Sequence, residues 1–127
     1  MWLFTEYGFF SIVEKPEDGS DPSKKMLTVR ARVRSDLDEF CRRCGMAPSE
    51  IVEVTHADYR YRVRAERNAI IGQLAEAVHN VDYDNFKSRV AEIQGQARAA
   101  CYHKVWDVVQ RLQVARLRHD APPATET

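Results

Sequence analysis

Leu27-Thr28-Val29-Arg30-Ala31-Arg32-Val33-Arg34 alternates apolar and polar residues without a break. A β-strand turns successive side chains to opposite faces, so this stretch predicts a half-buried strand. Leu27, Val29, Ala31 and Val33 point inward, and Thr28, Arg30, Arg32 and Arg34 point outward. The pattern returns over residues 59–65, with Tyr59, Tyr61, Val63 and Ala65 on one face and Arg60, Arg62 and Arg64 on the other. Strands with a single apolar face belong to an antiparallel sheet covered on one side.

Two further strands complete the expected sheet. Residues 7–15 are rich in aromatic and β-branched types and pair with residues 27–33 across a loop at 16–25, where Pro16, Asp18, Gly19, Ser20, Asp21 and Pro22 gather turn formers; Gly8 marks a bend or bulge. Residues 49–55 pair with 59–65. Between the hairpins Ser35 is the expected N-cap of a helix that buries Leu37, Phe40, Cys41 and Cys44 and stops at Gly45. From Asn68 the period becomes helical, with Ile70, Ile71, Leu74, Val78 and Val81 as the apolar stripe. Asp84 or Asn85 caps a short helix burying Phe86, Val90 and Ile93, ended by Gly95. A last helix over residues 97–119 buries Cys101, Val105, Val108 and Leu112. The expected fold is α+β, a two-layer sandwich on a four-stranded antiparallel sheet, in the order ββαββα followed by two C-terminal helices. Val29, Val33, Leu37, Phe40, Tyr61, Val63, Ile71, Leu74, Val78, Phe86 and Val108 are expected to share its core. Residues 1–119 are expected to form one domain and 120–127 a disordered tail.

Composition narrows the function classes. The 127 residues are 44% hydrophobic and 30% charged, with 19 basic side chains against 19 acidic ones. The apolar fraction is too high for a disordered chain, and no apolar run approaches the ~18 residues of a membrane helix. Zero net charge gives no basic tail of the kind dedicated to nucleic acid. Three cysteines and no basic-then-apolar leader point to a reducing, cytoplasmic setting.

Several stretches resemble a widespread family of small bacterial proteins of uncharacterised function. They are Met1-Trp2-Leu3-Phe4-Thr5, Gly8-Phe9-Phe10-Ser11, Val29-Arg30-Ala31-Arg32-Val33-Arg34, Asp58-Tyr59-Arg60-Tyr61-Arg62 and Asp82-Tyr83-Asp84-Asn85-Phe86-Lys87. The resemblance covers most of residues 1–112 and implies one compact domain of bacterial or phage origin. It brings no assigned activity, and the Cys41-x-x-Cys44 pair lies outside it.

The residues that carry chemistry are mostly arginines. Arg30, Arg32, Arg34, Arg60, Arg62 and Arg64 are expected to share the open sheet face, where planar guanidinium groups can meet carboxylates or phosphates. The plainer alternative is a solvated face whose arginines pair with Glu53, Glu14 and Glu6. Tyr59 and Tyr61 fall on the core side by alternation, which leaves the arginine face without the stacking platform of single-strand binders. Cys41 and Cys44 could join Cys101 and His103 around a metal, but their helical positions suit core residues better, so no metal and no cofactor are expected. His56 and Asp58, or Asp82 and Asp84, offer acid–base types for a small enzyme; turn and capping roles explain the same residues. Trp2, Phe4, Phe9 and Phe10 crowd the N-terminus, a possible homodimer face. The expectation is a non-catalytic adaptor or inhibitor of a larger bacterial or phage complex. A protein is the favoured partner, nucleic acid is the alternative, and no membrane is involved.

Overall fold

The chain first reverses at Glu6 and Tyr7, where β1 (Trp2–Thr5) turns back into β2 (Gly8–Val13). Neither central residue of this tight turn is glycine, proline or asparagine; the Thr5 hydroxyl organises it. Its Oγ1 accepts from Gly8 N at 3.1 Å and donates to Gly8 O at 3.0 Å, a local side-chain substitute for turn hydrogen bonds. The structure, a computed structural model, describes residues 1–20, 22, 23 and 25–120, with the backbone alone for 115–120. Two compact units emerge, Met1–Asp82 and Tyr83–Thr127. The tail expected at 120–127 lies, beyond Asp120, outside the described residues.

The first unit continues through α1 (Pro16–Gly19), β3 (Met26–Ala31), α2 (Arg34–Arg43), a 3-10 turn (Pro48–Glu50), β4 (Val52–Glu53), β5 (Tyr61–Glu66) and α3 (Arg67–His79). The strands form one antiparallel sheet in the order β1-β2-β3-β5-β4. The fold is α+β as expected. The sheet has five strands rather than four, because Trp2–Thr5 forms a strand of its own; of the segment expected at 49–55, Ser49 and Glu50 belong to the 3-10 turn and only Val52 and Glu53 join the ladder. The loop expected at 16–25 holds the short α1.

One face of the sheet, bearing Phe10, Ile12, Val29, Ala31, Val63 and Ala65, packs with Leu37, Phe40 and Cys41 of α2 and Ile70 of α3. The Phe10 and Phe40 ring centroids lie 5.4 Å apart. Gly8 is required by close approach: a Cβ there would sit 2.8 Å from Cβ of Asp36, whose Oδ2 accepts the Phe9 N–H at 3.0 Å. Of the expected stripe, Leu37, Phe40 and Cys41 are buried on α2 while Cys44, at its C-cap, is partly buried, and Gly45 takes φ +70° after its end.

Other expected core positions are exposed. Val33 follows the end of β3 and serves as the N-cap residue of α2, two residues earlier than the expected Ser35. On α3 the buried pair is Ile70 and Gln73, with Leu74 partly buried, while Ile71 and Val78 face outward and Val81, beyond the helix end, is exposed. Gln73 donates there from Nε2 to the Tyr7 hydroxyl at 3.2 Å, while its Oε1 is buried without a hydrogen-bond partner among the described residues. Burial pushes that phenol up to about 12, with the Gln73 hydrogen bond opposing.

In the second unit Asn85 caps α4 (Phe86–Gln94), its Oδ1 accepting from Ser88 N at 2.9 Å. Gly95, at φ +96°, releases the chain into α5 (Gln96–Asp120). Val90, Ala99 and Tyr102 are buried, and Phe86 stacks on Tyr102 at 6.1 Å. Cys101, Val108, Leu112 and Ile93, expected inside, are exposed. At 1.5 Å per residue α5 is about 37 Å long and α4 about 13 Å, so α4 covers only the first turns of its neighbour. Among the described residues no helix is long and apolar enough to cross a membrane.

Candidate functional site: an arginine and aromatic sheet face

Opposite α2, strand alternation places Trp2 and Phe4 of β1, Phe9, Ser11 and Val13 of β2, Thr28 and Arg30 of β3, and Arg62 and Arg64 of β5 on the second sheet face. The register aligns Trp2, Ser11, Arg30, Arg62 and Val52 as one row across all five strands. Beside it Phe4 and Phe9 stack at 4.4 Å, and Trp2 meets Phe9 edge-on at 6.0 Å.

Tyr59 overturns the expectation that this face lacks aromatic rings. β5 begins at Tyr61, so alternation does not extend back to Tyr59. The residue folds over the arginines, with its ring 4.5 Å from the Arg30 guanidinium carbon, 4.6 Å from that of Arg32 and 6.4 Å from Phe9. It is 5% exposed. Tyr61, opposite Ala31, does lie on the helix-covered side, partly buried.

The six arginines separate into two groups. Arg34 opens α2 and pairs with Asp38 at 3.5 Å, Arg60 pairs with Glu53 at 2.7 Å, and Arg64 reaches Asp18 at 2.6 Å. Arg30, Arg32 and Arg62 have no carboxylate partner among the described residues. Arg30 donates from Nη2 to Ser11 Oγ at 2.8 Å and Arg62 from Nη2 to the Tyr59 carbonyl at 3.1 Å, both neutral acceptors. The Nε atoms of both are buried without a hydrogen-bond partner among the described residues. Two like charges directly opposed on neighbouring strands, partly desolvated, destabilise the sheet.

Sequence reasoning missed Asp18, which anchors the edge of this face. Read as a turn former, it is instead 1% exposed and accepts from Thr28 Oγ1 at 2.6 Å, Lys15 N at 3.0 Å and Arg64 Nε. Burial by itself would raise its carboxyl, but the hydrogen bonds from Thr28, Arg64 and Lys15 outweigh it and hold the group below the usual carboxylate range. Its side-chain partners lie ten and forty-six positions away, so no local motif announces them.

The other candidate residues do not converge. Cys41 is buried on α2, where burial first, then the neighbouring Cys44, pushes its thiol up to about 11, far from a reactive thiolate. Cys101 is exposed on α5; His103 Nδ1 lies 2.9 Å from Lys87 Nζ, and its ring stacks on Trp106 at 5.5 Å. Among the described residues no group of three or more His, Cys, Asp and Glu side chains is placed to hold a metal ion. His56, Asp58, Asp82 and Asp84 are all exposed. Compared with known proteins, the chain matches no family model, no curated protein and no solved structure.

Proposed function

We propose that this chain is a non-catalytic binding protein, an adaptor or inhibitor within a larger bacterial or phage-related complex, which docks the Arg30–Arg62 sheet face onto an acidic surface of a protein partner. The observation that carries the reading is the opposed pair of arginines without a carboxylate partner among the described residues, on the same face as Trp2, which is 67% exposed. Arginine, tryptophan and tyrosine are the side chains that dominate binding energy at protein interfaces. Positive charge left uncompensated within a fold is a cost to stability, and an external acidic group removes it. The resemblance to small bacterial proteins fits this setting without adding an activity.

A second reading is single-stranded nucleic acid, favoured by Phe4, Phe9 and Trp2 standing beside the arginines as a stacking surface would. It is weaker because Arg34, Arg60 and Arg64 are engaged by Asp38, Glu53 and Asp18, which leaves three arginines for a phosphate backbone. Affinity purification from a bacterial lysate, before and after nuclease treatment, separates the two. A protein that survives nuclease, is then purified, and binds the wild-type chain at least tenfold more tightly than Arg30→Gln/Arg62→Gln supports docking on an acidic protein, since an interfacial hot spot is worth about 2 kcal/mol or more. Binding that disappears with nuclease and weakens steeply with salt supports nucleic acid instead.

A further inference from the structure

We infer that Arg30 and Arg62 together form a site for one doubly charged oxyanion, a phosphate monoester carried on a side chain of the protein partner. This rests on the docking reading above and names the group that the face recognises. The two residues are register partners on β3 and β5, so their side chains leave the sheet side by side on the same face. Each uses one Nη2 on a neutral oxygen, Ser11 Oγ for Arg30 and Tyr59 O for Arg62. Those bonds fix the directions of the guanidinium planes and leave further N–H donors on both. The Tyr59 ring, against Arg30 and Arg32, restricts their movement and keeps a third positive charge next to the pair.

Charge balance selects the ligand class. A carboxylate neutralises one of the two opposed guanidinium groups and leaves the other uncompensated in a partly desolvated place. A phosphate monoester carries roughly −1.5 to −2 at neutral pH and has three strong acceptor oxygens, enough to serve both arginines at once. A phosphodiester carries a single charge, so the pair prefers the monoester to a nucleic-acid backbone. Ser11, 1% exposed, acts from beneath the pair by holding the Arg30 guanidinium in place. The ordering of donors before the ligand arrives lowers the entropy lost on binding.

The test uses the full chain and four small probes: inorganic phosphate, phenyl phosphate, dimethyl phosphate and acetate, each at about 10 mM and matched with chloride for ionic strength. Both monoester-type dianions, inorganic phosphate and phenyl phosphate, should raise the thermal midpoint of the wild type by about 2 °C or more through preferential binding to the folded state. Acetate and dimethyl phosphate should give less than half of that rise. The rise should vanish in Arg62→Gln, whose own midpoint shows whether the variant is folded, and persist in Arg42→Gln, a change on the exposed surface of α2. Equal effects of acetate and phosphate, or a phosphate effect that survives Arg62→Gln, overturn the assignment. Failure of this proposal differs from failure of the docking reading: a purified partner that binds through Arg30 and Arg62 but is unaffected by phosphatase treatment or by competing phenyl phosphate leaves docking intact and removes the phosphate. Loss of that binding on phosphatase treatment supports it.

Discussion

Asp18 shows how a single residue can join an element to a sheet. Its carboxylate sits at 1% exposure between the start of α1, Thr28 of β3 and Arg64 of β5, and each partner lowers its proton affinity against the opposing effect of burial. A carboxyl whose folded value lies below the unfolded value of about 3.9 contributes stability that is complete well above pH 4 and is lost as pH falls through the lowered folded value. Replacing Asp18 by Asn should therefore cost about 2 kcal/mol at neutral pH, the scale of charge-assisted hydrogen bonds with a half-exposed arginine. The difference from wild type should shrink as the pH approaches 3. Urea midpoints of both proteins at pH 7 and pH 3 check this; a gap that stays constant would mean that the carboxylate charge contributes nothing. Nothing near Asp18 in the sequence separates it from Asp21 as a turn former. Tyr59 is a related case, since alternation read from Tyr61, Val63 and Ala65 extends to it only while the strand continues, and the strand stops at Tyr61.

Among the elements, α2 was legible because its apolar residues occupy one stripe and Gly45 bounds it, whereas α3 has apolar residues at both Ile70 and Ile71 and a buried glutamine. The phase of a helix cannot be set by hydrophobicity when adjacent positions are both isoleucine. The structure settles it, with Ile70 at 2% exposure, Ile71 at 55%, and Gln73 turned inward to Tyr7. Ile70→Ala should cost about 2–4 kcal/mol and Ile71→Ala less than about 1 kcal/mol, measured by chemical denaturation. The reverse order would place α3 one residue out of phase. β1 was not legible for another reason: the central residues of its turn are Glu6 and Tyr7, not the Gly, Pro or Asn that usually mark a reversal, and the Thr5 hydroxyl organises it. On α5 apolar residues occur all round the helix, at Val105, Trp106, Val108, Val109, Leu112 and Val114, so the stripe expected through Cys101, Val105, Val108 and Leu112 is one of several, and Ala99 and Tyr102 are buried instead.

For the molecule as a whole, the α+β class and the placement of Arg30, Arg62 and Arg64 on the sheet face away from α2 follow from alternation in residues 27–34 and 59–65. Which arginines are uncommitted depends on Asp18, Glu53 and Asp38, and two of these meet their partners only through tertiary structure. The central claim is that Arg30 and Arg62 are held opposite each other for an external anion and not for the fold. Opposed like charges on neighbouring strands destabilise by roughly 0.2–1 kcal/mol, and for a unit of this size that corresponds to about 1–8 °C in midpoint. The most direct measurement is the thermal midpoint of Arg62→Gln against wild type at low ionic strength with no anion beyond chloride. The account predicts that the variant melts at the same temperature or a few degrees higher, and that added sodium chloride raises the wild-type midpoint more than the variant's by screening the repulsion. A variant that melts several degrees lower would contradict it, showing that the arginine pair holds the sheet together.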